Sequence, residues 1–182
     1  MRAESGDGIT VAGGGATLLQ ELQVQGRKVL VHLPAGRDAS QPAPLVLALH
    51  GGGGLDAMWE KIAETLDKLG VRHKHALNGL EAWTRLEGMA SHAQQRGIDL
   101  REEVNLILVD AEMPEMDGYV LTRNIKSDAR FEGIPVVMHS SLSSEANRAM
   151  GKSVGVDSYV AKFDADVLAE TLRPLLMRSC RD

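Results

Sequence analysis

One cysteine, Cys180, occurs in the 182 residues. No disulfide framework can form within the chain, which fits a reducing compartment. No apolar run reaches membrane-spanning length, and the N-terminus lacks the charged-then-apolar pattern of a secretion signal. A cytoplasmic protein without a membrane partner is the expectation. Like charges form no long block and the net charge is −5, which argues against nucleic acid as a partner. No Lys-Ser/Thr follows the glycines of His50–Gly54, HGGGG, so they are not a phosphate loop. His73, His75 and His92 lack metal-ligand spacing to cysteines or carboxylates, and surface positions are expected for them. There is no internal repeat or low-complexity tract.

What is present divides near Gly54. Residues 1–54 hold 11 of the 19 glycines, and residues 55–182 hold 21 of the 25 acidic residues, so the two segments are read separately. In the first, Thr17–Gln25 and Lys28–Leu33 flank Gly26-Arg27 as strands around a hairpin turn. A loop over 34–44 leads to Leu45–Leu49, LVLAL. This run has no polar alternation and suits a strand buried on both faces. In the second segment Met58, Ile62, Leu66 and Leu69 follow helical spacing, and Gly70 is a natural stop. Strand Val71–Ala76 follows, then helix Leu80–Gln95 with Trp83, Leu86 and Ala90 on one face. Strand Val104–Val109, helix Tyr119–Ser127, strand Ile134–His139 and helix Ser144–Val154 come next. Strand Ser158–Ala161 and helix Ala165–Met177 end the series. Such alternation predicts a doubly wound parallel sheet with helices on both sides. Right-handed crossovers gather the strand C-terminal ends, and any site, along one edge.

The chemistry concentrates in Leu106–Gly118, LILVDAEMPEMDG. Asp110 ends an apolar strand and a Met-Pro-x-Met-Asp-Gly loop follows. This arrangement resembles the phospho-acceptor segment of two-component receiver domains. From about Trp59 to Leu176 the chain is similar to the receiver domain of CheV-type chemotaxis coupling proteins. TLDKLG, HALNGLEAW, LILVDAEMPEMDGYVLTRNIK, IPVVMHSSLSSEANRA and GVDSYVAKF carry the likeness. The resemblance implies a flavodoxin-like fold, here with an extra N-terminal β-hairpin at one sheet edge. It implies Asp110 as phospho-acceptor and Mg²⁺ ligand, Ser140 at the small-hydroxyl position, Lys162 as the buried lysine and Tyr159 as the aromatic switch. A histidine kinase or small phosphodonor is the implied partner. Two features depart from that family: the N-terminal coupling domain, and the acidic pair after the first strand, where HGGGG stands instead. Asp56 is the nearest carboxylate and the second candidate metal ligand beside Asp110, although it is placed beyond the glycines where a helix N-cap is expected. Because phosphoryl transfer relies on a metal to neutralise developing charge, impaired Mg²⁺-dependent phosphorylation is the expectation.

Residues from about Leu18 to Gly54 resemble the start of an α/β-hydrolase of the polyhydroxybutyrate depolymerase and feruloyl esterase type, through GRKVLVHLPAG and PAPLVLALHGGGG. That resemblance implies Gly51, Gly52 and Gly53 as oxyanion-hole donors. The plain reading of these glycines is a relic turn. The competing reading is a carboxylesterase for small acyl esters, with Ser140, His50 and Asp110 converging at one sheet edge. Gly151–Gly155, GKSVG, matches a nucleophile-elbow pattern around Ser153, but it lies at a helix end rather than on a strand-to-helix turn. Together the resemblances imply a hybrid chain, an engineered or accidental chimera, with an inert fold as the third reading. The expected organisation is a flexible terminus over 1–16, a hairpin and first strand over 17–54, and a receiver-like unit over 55–182, merged into one α/β domain.

Several residues are expected to serve structure. His139 points away from Ser140 by strand alternation. Ser143 or Ser144 caps a helix with Glu145 in its first turn. Met113 and Met116 shape the loop, and Trp59 and Trp83 pack in the core or at an interface. The hairpin strands, if left as an open edge, offer a route to a homodimer.

Overall fold

The architecture comes from a computed structural model that describes residues 17–24, 27–34, 45–49, 56–141, 144–162 and 164–178. Its strands are β1 (Thr17–Val24), β2 (Arg27–Pro34), β3 (Leu45–Leu49), β4 (Arg72–Ala76), β5 (Leu106–Val109), β6 (Val136–Ser140) and β7 (Ser158–Ala161). They form one sheet in the order β1-β2-β4-β3-β5-β6-β7. From β4 to β7 every neighbouring pair is parallel. The β1–β2 hairpin is added antiparallel at the β4 edge. The helices are α1 (Asp56–Lys68), α2 (Gly79–Arg96), α3 (Gly118–Ser127), α4 (Glu145–Val154) and α5 (Ala165–Arg178). This is the doubly wound, flavodoxin-like sheet with a hairpin at one edge that the sequence pattern implies. Among the described residues no helix is long and apolar enough to cross a membrane.

Strand alternation builds two cores. Leu106 and Leu108 of β5 join Val46, Ile62, Leu66, Val137, Leu168 and Leu172, the α1/α5 layer. Ile107 and Val109 join Leu86, Leu121, Ile125 and Phe131, the α2/α3 layer. All four β5 residues are therefore buried, which is why the run carries no polar alternation. Local signals set the helix ends. The Asn78 side chain accepts from Glu81 N at the start of α2, and Gly97, at φ 67°, closes it in the left-handed conformation. Ser144 accepts from Asn147 N to cap α4, with Glu145 in the first turn.

Some boundaries differ from expectation, each for a hydrogen-bonding reason. β5 begins at Leu106 because Val104 N donates to Leu100 O (2.8 Å) and Asn105 Nδ2 to Arg101 O (2.9 Å), closing a tight turn. β6 begins at Val136 because Ile134 N donates back to Phe131 O (3.2 Å). Arg27 pairs with Val24 as the first residue of β2, so the hairpin connection is residues 25 and 26 rather than Gly26-Arg27. Asp56 is the first residue of α1 rather than its cap. His73 is the clear correction: it is fully buried, not on the surface. It lies on β4 against α1, its ring 5.6 Å from Trp59. His75 is also beside Trp59, at 4.6 Å.

Phe131 is fully buried and packs 5.8 Å from Trp83. Phe131→Ala is expected to cost about 3–5 kcal/mol through lost burial and a residual cavity. The check is a lower urea midpoint with an unchanged slope.

Candidate functional site

The strand order reverses at β3. Its crossover through α1 leads to β4 on one side, and the next, through α2, leads to β5 on the other. A crevice outside the C-terminal ends of β3 and β5 is the usual ligand position in such sheets. Asp110 follows β5 directly and faces that edge, 3% exposed.

Its carboxylate is held on both oxygens. Lys162 Nζ donates to Oδ2 at 2.5 Å, and Glu112 N donates to Oδ1 at 3.1 Å. Lys162 follows β7, and its backbone N donates to Ser140 O (2.9 Å), which draws the ends of β6 and β7 together. Ser140 itself is fully buried. The neighbouring Ser141 hydroxyl donates to Glu112 Oε2 at 2.5 Å, tying the end of β6 to the loop after Asp110. A buried ion pair of this kind is costly to break from one side, because the remaining charge is left without compensation.

The loop after Asp110 is shaped by close approach. A Cβ on Gly118 would overlap the Asp110 carbonyl oxygen, so only glycine lets α3 start directly against the end of β5. Gly118 N donates to Ala111 O (3.1 Å), and Asp117 caps α3 by accepting from Val120 N (2.9 Å). Glu115 adopts φ 66°, left-handed backbone that strains a non-glycine residue. Met113 is buried and Met116 packs against the same core, the packing role expected for both.

Tyr159 lies along β7 with the Arg148 guanidinium 5.2 Å from its ring centre, and Arg148 Nη1 donates to Tyr159 O at 3.4 Å. Tyr119 donates to Asn147 O at 3.5 Å. Burial, reinforced by Tyr159, raises the Tyr119 phenol above its ordinary range.

The structure thus brings together Asp110, Lys162 and the end of β6 at Ser140, with Tyr159 further along β7. It adds Glu112, Ser141, Gly118, Tyr119 and Arg148, which the sequence reading left aside. Glu112 and Ser141 were legible in principle, since each sits one or two residues beyond a strand end at the switch edge. His50, Gly51, Gly52 and Gly53 lie outside the described residues, as does the Asp56 side chain. Ser153 is not at the site. It is exposed within α4, and its hydroxyl donates to Met150 O (2.7 Å) in its own helix. The elbow pattern there is a helix end closed by Gly155, not a strand-to-helix turn. The acyl-transfer reading has no support among the described residues. Ser140 has no solvent access, and the Asp110 carboxylate is engaged by Lys162.

Mg²⁺ takes octahedral oxygen ligands, usually one or two carboxylates with the substrate phosphate and water. Among the described residues no three His, Cys, Asp or Glu side chains converge to hold a metal ion. Asp110 is a single carboxylate already neutralised by Lys162. These residues do not by themselves make a metal site.

A doubly wound sheet with a carboxylate–lysine pair buried at its switch edge defines a receiver-type signalling domain. The chain matches the response regulator receiver domain family over residues 56–173 and belongs to it. Among curated relatives, the chemotaxis protein CheV3 of Helicobacter pylori is 34% identical over 111 residues, covering 61% of this chain and 35% of that protein. Chemotaxis protein CheY1 of the same organism is 32% identical over 117 residues, covering 63% and 85%. The chain therefore spans about a third of the CheV relatives it matches. Among solved structures, the signal receiver domain of a signal transduction histidine kinase from Syntrophus aciditrophicus superposes with TM-score 0.63 at 27% identity, covering 77% of this chain and 95% of that one. Vibrio cholerae CheY4 superposes with TM-score 0.55 at 23% identity, covering 73% and 98%, a likeness of fold.

His139, beside this site, carries a pH prediction. It is 3% exposed and borders a cavity of about 30 Å³ with Lys61, Thr65 and Asp164. Burial, then the Lys162 charge, pushes it from 6.5 down to about 4. Between those values the unfolded chain binds a proton that the folded chain refuses. Stability is therefore full above pH 6.5 and falls as pH drops towards 4, by up to about 3 kcal/mol. Urea midpoints measured across that window should fall less steeply in His139→Gln.

Proposed function

We propose that this chain is a receiver-type signalling module in which Asp110 accepts a phosphoryl group from a histidine kinase or a small phosphodonor. The observation that carries the reading is the buried Asp110 carboxylate in contact with Lys162 Nζ at 2.5 Å. An anion formed on Asp110 keeps the lysine ammonium as its charge partner through a charge-assisted hydrogen bond. Ser140 and Tyr159 are the residues that respond to the new charge, by the family likeness of their positions. The transfer itself is in-line attack of an Asp110 oxygen on the donor phosphorus, which forms the new O–P bond as the P–N bond to a kinase histidine, or the P–O bond to a small phosphodonor, breaks and that imidazole or carboxylate departs.

The same reading makes phosphorylation inefficient. The segment after β3 carries His50 and glycines where receivers resembling this one place an acidic pair, and among the described residues no three His, Cys, Asp or Glu side chains come together to hold a metal ion. Electrostatic help for the developing charge then rests on Lys162, with less divalent-ion neutralisation than phosphoryl transfer ordinarily uses.

The test is incubation with acetyl phosphate and Mg²⁺, read by intact mass and by phosphate-affinity electrophoresis. Slow, substoichiometric labelling that disappears in Asp110→Asn is expected. Absence of label at high donor and metal would overturn the acceptor role. Rapid, complete, Mg²⁺-dependent labelling would overturn the impairment.

A further inference from the structure

The chain holds two tyrosines, and the fold brings them together from α3 and β7. Tyr119 stands in the first turn of α3, next to Gly118, where a Cβ would overlap the Asp110 carbonyl oxygen. Tyr159 is on β7, and its phenol shares a hydrogen bond with that of Tyr119. A phenol hydroxyl both donates and accepts, so Tyr119 also reaches Asn147 O of α4, at 3.5 Å. That contact is long for a hydroxyl, which leaves the phenol pair as the main tie. α4 closes on Tyr159 from two further positions. The Arg148 guanidinium lies 5.2 Å from the ring centre, and its Nη1 donates to Tyr159 O at 3.4 Å. At Gly151 a Cβ would come within 3.0 Å of the ring edge, so glycine leaves the slot that the ring fills.

We propose that Tyr119 is a positioning residue whose hydroxyl holds the Tyr159 ring in the α4 slot, so that the ring leaves only when the phenol pair opens. The device has two ends. At one, Gly118 N donates to Ala111 O at 3.1 Å, so a shift of the loop after Asp110 carries Tyr119 with the first turn of α3. At the other, Tyr119 meets Tyr159 and α4 together. Loop and α4 are thereby joined through α3, a route that does not pass through the fully buried Ser140. After burial and Tyr159, the charges of Asp117 and Glu112 help to keep the proton on the Tyr119 phenol. The hold therefore answers to geometry rather than to pH. That Tyr159 responds to charge at Asp110 rests on the function proposed above; the hold itself belongs to the unphosphorylated chain.

The test is the rate at which tetranitromethane nitrates Tyr159 in the full chain, read by peptide mass. Tyr119→Phe keeps the ring and removes only the hydroxyl. It should quicken nitration of Tyr159 about three- to tenfold, the population change that losing one hydrogen bond produces. Gly151→Ala crowds the slot and should also quicken it. In the double variant the two effects should fall short of their product, because both release the same ring. Phe131→Leu loosens the α2/α3 core away from the pair and should leave the rate unchanged. An unchanged rate in Tyr119→Phe would overturn the proposal. Equal quickening in Phe131→Leu would do the same, since general loosening would then suffice, and so would fully multiplicative effects in the double variant. None of these readings uses a phosphodonor, so they stand or fall apart from labelling at Asp110.

Discussion

Leu45–Leu49 is laddered on both sides, to β4 and to β5, and the rest of the molecule is arranged around that strand. Strands in a sheet stand about 4.8 Å apart; without β3, β4 and β5 would face an unpaired gap in the sheet centre. Buried backbone groups do not tolerate that loss of partners. The same strand creates the crevice, because the chain leaves it first to one side and then to the other. Yet the family match begins at residue 56, after β3. The central strand of this receiver sheet is therefore contributed by the part of the chain that precedes the matched stretch. An uninterrupted apolar run satisfies the position because it is covered on both faces, and Val46 is wholly buried there.

Charge placement at the edge follows from the same geometry. Parallel strands aim their C-terminal ends at one place, so β5, β6 and β7 deliver Asp110, Ser140 and Lys162 together from distant points in sequence. A lone buried carboxylate would be expensive, and Lys162 offsets that cost while Glu112 N satisfies the other oxygen. The result is a lysine cation fixed beside a buried carboxylate oxygen at the switch edge. After the tip of β3 the sequence carries a histidine and glycines rather than carboxylates.

The hairpin extends the sheet beyond the family outline. β1 and β2 pair along their whole length, whereas β2 meets β4 through a single pair of histidines.

Periodicity alone made the strands and helices legible, because burial on two faces, on one stripe or on none leaves different spacing of apolar residues. Ser144 as a cap and Gly70 as a stop likewise announced helix ends through local hydrogen bonds. Asp110 and its loop were legible because a strand end followed by Met-Pro-x-Met-Asp-Gly is a local pattern. The burial of His73, the engagement of Glu112 by Ser141, and the place of Ser153 on an exposed helix were not. The sequence by itself determined the order and kind of elements and the place of the Asp110 carboxylate at a strand end. Only the tertiary structure decided which charges are neutralised and which hydroxyls and imidazoles are sealed from water. Those outcomes depend on packing between residues far apart in the chain, and no local spacing encodes that proximity.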